Sequence, residues 1–186
     1  MPPKVKVTKE DIINTAVDIV RESGAQAINA RTIAGVLKCS TQPVFSNFET
    51  MDQLRLAVCE RADELCEEYM SREVERGEYP AYKANGMAYI RFAKEEKELF
   101  KLLYMRDRSG ELIPEATEQT DRMESIVHDN TGLSGKEAKL FHLEMWAYVH
   151  GIATMFATGF LDLDWQLVSK MLTDSYQGLR KQYGME

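Results

Sequence analysis

The stretch MWAYVHGIATMFATGFL, residues 145 to 161, runs for 17 residues without a formal charge and restricts the fold more than any other feature of the chain. As a helix it spans about 25 Å, short of the ~30 Å of a bilayer's hydrocarbon core. Glu144 and Asp162 bracket it closely, and 28% of all residues are charged. A membrane span therefore gives way to a helix surrounded on nearly all sides by protein. Such a helix needs other helices to cover it.

The remaining sequence supplies them. Thr8 with Asp11 resembles a capping box ahead of an apolar set at Ile12, Ile13, Ala16, Val17, Ile19 and Val20. That helix is expected to stop at Gly24 in a left-handed cap. Asn29 caps a second, short helix with Ile33, Ala34, Val36 and Leu37 turned inward. Thr50 with Gln53 opens a long helix through Leu54, Val58, Ala62, Leu65 and Tyr69 that frays near ERGEYP. Further helices are expected over 82–94, 97–105, 114–130 (starting at Pro114), 136–160 and 165–181, the last capped by the DLD segment. No repeat and no strand-like alternation occurs. The fold class is all-α, with about nine helices.

Length and composition add limits. The 186 residues suit one sizeable domain or a small module joined to a larger one. Cys39, Cys59 and Cys66 lack metal or disulfide-framework spacing, which points to reduced thiols in the cytoplasm. His142 and His150, eight residues apart, have no third ligand at metal spacing, so neither metal nor cofactor is expected. The start, MPPKVKVTKED, has no apolar core of a signal peptide. Net charge is −7, yet residues 1–50 hold six Lys/Arg against five Asp/Glu, leaving 17 against 25 for the rest. The acidity lies late, and the first 50 residues remain compatible with a phosphate backbone.

The run CSTQPVFSNF, residues 39 to 48, reads as a helix start. With Ser40 as N-cap, Thr41, Gln42 and Pro43 fill a first turn whose N–H groups lack intrahelical partners, so proline sacrifices nothing. The Ser40 hydroxyl would then accept from the Gln42 N–H. Val44, Phe45 and Phe48 serve as anchors, leaving Thr41, Gln42, Ser46 and Asn47 outside. Helix, short helix, turn and short helix together form a helix-turn-helix, whose last element enters the major groove.

At this point the segment INARTIAGVLKCSTQPVFSNFETMDQL, 28 to 54, resembles the TetR family of bacterial transcriptional regulators. TIA (32–34), CSTQPVFSNF and ETMDQL stand at the family's spacing. WAYVHGIA, 146–153, is similar to the Trp–x–x–Val–His–Gly motif of one branch of its regulatory domains. The resemblance implies a helix-turn-helix domain over 1–50 and an effector-binding, dimerising helical domain over 51–186. It also implies a homodimer on a palindromic double-stranded DNA operator, commonly as a repressor, with a small-molecule effector. Three departures stand out. Lys38 occupies the turn position commonly held by glycine. Phe45 and Asn47 replace the usual tyrosine and histidine phosphate contacts, and Met51 replaces a frequent lysine. Fewer phosphate contacts and a modest salt dependence follow.

Thr41, Gln42 and Pro43 are the candidates for base edges. Gln42 suits a two-bond pair with adenine, and Pro43 or the Thr41 methyl suits a thymine methyl. Arg31 suits a phosphate or a guanine. Ser40, Ser46 and Asn47 suit positioning, with Lys4 and Lys6 on an arm, and Phe45 either packs inward or joins the contact surface. For a largely apolar effector the candidates are Phe92, Phe100, Tyr104, Met123, Glu144, Trp146, Tyr148 and His150. The methionine and aromatic residues among these also suit plain core filling, and Glu144 and His150 suit internal or dimer-seam hydrogen bonds. A small helical enzyme or a helical interaction module without a DNA role are the alternatives.

Overall fold

The computed structural model describes residues 7–107 and 118–185, and among these it holds nine α-helices, one 3₁₀ turn and no strand. In chain order α1 is Lys9–Ser23, α2 Ala30–Val36, α3 Gln42–Asn47, α4 Met51–Arg76 and α5 Ala81–Glu95. They are followed by α6 Lys97–Tyr104, α7 Glu118–Thr131, α8 Gly135–Thr158 and α9 Trp165–Gln182. Lys4, Lys6 and Pro114, named above, lie outside the described residues. The chain divides into two compact units, Met1–Glu67 with Glu96–Arg106, and Glu68–Glu95 with Asp107–Glu186.

In the first unit α1 opens on the expected capping box. The Asp11 N–H donates to Thr8 Oγ1 at 3.0 Å, and the Thr8 N–H donates to Asp11 Oδ2 at 2.8 Å. The Thr8 N–H, helped by the Thr8 hydroxyl, holds the Asp11 carboxyl below its ordinary pKa. Ile12, Ala16, Val20, Ile33, Val44, Leu54 and Val58 are all buried in this unit. Arg21 grips Glu96 through two bonds of 2.9 and 2.8 Å, tying α1 to the residue that precedes α6. Gly24 departs from the expected left-handed cap. Its φ of 79° is positive but its ψ of 167° is extended, and a 3₁₀ turn at Ala25–Ala27 follows.

The second unit is built on α5 and α8, which pack along each other, with α7 and α9 beside them. Gly86 permits that approach, since a Cβ there would meet Val149 Cγ2 at 3.4 Å. Two tyrosine–histidine bonds bridge the same pair of helices: Tyr82 Oη to His142 Nδ1 at 3.2 Å, and Tyr89 Oη to His150 Nδ1 at 3.0 Å. Burial lowers the pKa of both imidazoles. Phe141 sits edge-on to Tyr176 and Tyr183, closing a cluster with Val127, Ala138 and Met145. Glu73 is 2% exposed and ion-paired with Arg76 (3.0 Å) and Arg91 (3.3 Å), and Arg91 lies over the Trp165 ring.

The apolar helix α8 corrects the expectation of burial on nearly all sides. One side is buried through Phe141, Met145, Val149, Ile152 and Phe156. Leu140, Leu143, Ala147, Gly151 and Thr158 are exposed on the other, with Leu143 at 56%, and they recur at helical spacing. Phe160 lies beyond the helix, which Gly159 ends in a left-handed cap. No described helix is long and apolar enough to cross a membrane.

Candidate nucleic-acid interface

Asn29 anchors the start of α2. Its Oδ1 accepts from the Arg31 and Thr32 N–H groups at 3.1 and 3.0 Å. Ile33 and Ala34 face the core as expected. Val36, expected inward, is 59% exposed, because α2 ends there and the chain turns away. The turn is a Schellman motif: the Cys39 N–H donates to the Ala34 carbonyl at 3.0 Å and the Lys38 N–H to Gly35 at 3.3 Å. Lys38 takes the left-handed position with φ of 51°, which explains why glycine suits this place. A lysine there costs roughly 1–2 kcal/mol relative to an unstrained backbone.

The helix α3 starts one residue later than the sequence suggests. Thr41, not Ser40, is the N-cap, and it is already helical (φ −71°, ψ −11°) without a side-chain cap bond. The reason lies in the next residues. Pro43 has no N–H to offer, and the Val44 N–H donates to the Thr41 carbonyl at 3.1 Å. Val44 is fully buried and Phe48 is 4% exposed, with the Lys9 ammonium 5.2 Å from the Phe48 ring centre. Phe45, expected as a second aromatic anchor, is instead 55% exposed, because it lies a quarter-turn past Val44.

Among the candidate contacts, Arg31, Ser40, Gln42 and Ser46 are exposed and Thr41 and Pro43 half-buried. Asn47 is half-buried, and its amide donates to the Pro43 carbonyl at 2.8 Å, which takes one of its two donor hydrogens. Beyond α3, Gln53 behaves as expected in outline. Its N–H donates to Thr50 Oγ1 at 3.2 Å, while its side chain accepts from the Glu49 N–H, one residue before the reciprocal partner.

The eight effector candidates are divided between the two units. Phe100 and Tyr104 belong to the first unit and the other six to the second. Phe92 and Phe100 are fully buried, with Phe92 met edge-on by Tyr69. The Tyr104 hydroxyl donates to Cys66 Sγ at 3.6 Å, and burial pushes that thiol up to about 12. Met123 and Glu144 are half-buried, and Glu144 accepts from the Tyr183 hydroxyl at 3.4 Å. Trp146 and Tyr148 are exposed, and the Trp146 ring stacks on His150 at 4.8 Å. Among the described residues no group of His, Cys, Asp or Glu is arranged to hold a metal ion.

Residues 82–174, half of the chain, match the family model described as "Tetracyclin repressor-like, C-terminal domain". The chain belongs to the TetR family. The fold agrees over nearly the whole length. A TetR-like transcriptional regulator from Rhodococcus sp. RHA1 superposes with a TM-score of 0.68 at 16% identity, covering 96% of this chain and 98% of that one. A TetR family member from Streptomyces coelicolor A3 gives 0.62 at 17% identity, covering 90% and 96%. No curated protein matches by sequence. As a TetR-family transcriptional regulator, the protein has an N-terminal helix-turn-helix followed by a helical C-terminal domain, and it is a transcription factor, not an enzyme.

Sequence reasoning missed two features of this TetR regulator. The buried Glu73 sits in a segment, SREVERGEY, that reads as solvated charge; only the partner Arg91 on another helix reveals it. The tyrosine partners of His142 and His150 were equally hidden, although Tyr82 and Tyr89 stand seven residues apart on one helix.

Proposed function

We propose that the protein binds a palindromic operator in double-stranded DNA as a homodimer, acting in the cytoplasm, and that a small, largely apolar molecule releases or retunes it. Residues 1–50 carry the DNA contacts and 51–186 carry the effector site and the dimer seam. The observation that carries this reading is the outer side of α3: Gln42 and Ser46 stand exposed over a helix fastened by Val44 and Phe48. Such a helix has its polar side free for base edges. Arg31 and Ser40 support it from neighbouring positions.

The exposed side of α8 supports the dimer. A chain that leaves Leu140, Leu143, Ala147 and Gly151 open in one row gains by covering them with the same row of a second copy. With α9 contributed by each copy, the seam is a four-helix bundle. Within 51–186, Glu144, Trp146, Tyr148 and His150 are the polar and aromatic positions offered to an effector, with Met123 and Phe92 as apolar ones. An effector acts only by preferring one of the dimer's spacings over the other. A mobility shift on labelled DNA from upstream of the gene tests the reading. A salt-sensitive shift is expected, and a protein that shifts no fragment at low salt contradicts operator binding.

A further inference from the structure

The ring of Phe45 stands 55% exposed on α3. At 3.6 residues per turn, Gln42 and Ser46 point away from the buried Val44 and Phe48, and Phe45 flanks them on one side with Pro43 on the other. This surface is poor in groups that hold phosphate. Residues 39–54 contain no lysine or arginine. One of the two Asn47 amide hydrogens is taken by the Pro43 carbonyl, and a phenyl ring has no donor at all.

An exposed ring beside a glutamine has one apolar counterpart in the major groove, the C5 methyl of thymine. Against a cytosine amino group or a guanine oxygen the ring would strip water without returning a hydrogen bond. Against a methyl it removes apolar surface from water on both sides. We propose that Phe45 is a specificity-determining residue that packs on a thymine methyl next to the base read by Gln42, so that each half-site requires thymine there. This rests on operator binding as proposed above and deepens it by naming the base feature recognised.

The test starts with selection from a random double-stranded DNA library. The enriched duplex is then remade with deoxyuridine in place of thymine, which deletes the methyls and keeps every base-pairing group. Wild-type protein is expected to lose about fourfold in affinity per half-site, the worth of one buried methyl, or about 15-fold for the symmetric duplex. Phe45→Ala binds the two duplexes equally, and Phe45→Leu retains part of the preference. Because the ring is exposed, both variants are expected to melt close to the wild type, which circular dichroism checks. Equal wild-type affinity for the two duplexes overturns the proposal without touching operator binding. An undiminished thymine preference in Phe45→Ala also overturns it and hands the methyl to Thr41 or Pro43. Failure of any duplex to enrich removes operator binding itself, and this inference with it.

Discussion

Two helices of this protein each show a bare side, and the contrast between them is instructive. On α3 the bare side is short: Gln42 and Ser46 with Phe45 beside them, over a firm base of Val44 and Phe48. On α8 it is long and apolar, with Leu140, Leu143, Ala147 and Gly151 in one row. Gln42 and Ser46 lose little by meeting water and only the Phe45 ring is left apolar, so α3 can wait for a ligand. An apolar row loses at every residue, so α8 calls for a standing partner. Under the proposed function, the first helix meets an occasional partner and the second a permanent one.

The sharpest way to break this contrast is to charge the α8 row. Leu140→Glu with Leu143→Glu is expected to convert a dimer to a monomer by light scattering, with the helical content kept because both positions are exposed. Losing the paired half-site drops operator affinity by about 10³-fold or more, towards the non-specific level. A dimer that survives both charges would show that the seam lies elsewhere.

Next in size is the α3 side. Thr41→Ala with Gln42→Ala removes the proposed adenine pair, and about 1–3 kcal/mol of discrimination per half-site is expected to disappear in a mobility shift. Thermal stability stays near the wild type, since Gln42 is exposed and Thr41 makes no capping bond.

The buried side of α8 gives a pH effect. Burial lowers the folded-state pKa of His142 and His150 below the ordinary 6.5, so the unfolded chain binds more protons there. Their contribution to stability is present above 6.5 and is lost as pH falls through that value towards the lowered folded pKa values. The thermal midpoint should decline between pH 7.5 and 5.5 more steeply in the wild type than in His142→Gln with His150→Gln. Parallel curves would show that these two imidazoles do not titrate on unfolding.

The smallest effect concerns two helix ends of the same kind. Gly159 and Lys38 both occupy the left-handed position of a Schellman turn, with φ of 70° and 51°. Only the glycine does so without strain. Lys38→Gly is expected to stabilise the protein by about 1 kcal/mol in urea unfolding. A loss of stability instead would mean that the lysine side chain contributes more than its backbone costs.

Much of this architecture was legible in the residues. Thr8 with Asp11, Asn29, Thr50 with Gln53, and Asp164 mark helix starts by local hydrogen bonds, and each acts within four residues of itself. Such signals survive without knowledge of the fold. What failed were statements about sides. Val36, Phe45 and the outer row of α8 are apolar residues that no single chain covers, and hydropathy alone assigned them to the interior. Ser40 failed by one residue: Thr41 is the N-cap of α3 and is already helical, without a side-chain cap bond. The effector candidates stay a proposal, because aromatic content is shared by cores and cavities and sequence does not tell them apart.

In the proposed complex, two copies set two α3 helices into successive major grooves. Dimethyl sulfate footprinting on the selected duplex reads this directly, because it reports guanine N7 in the major groove. Two protected patches centred about one helical turn apart, about 34–36 Å, are expected, and both fade together in the Thr41→Ala, Gln42→Ala variant. A single patch, or two that persist in that variant, would contradict the claim.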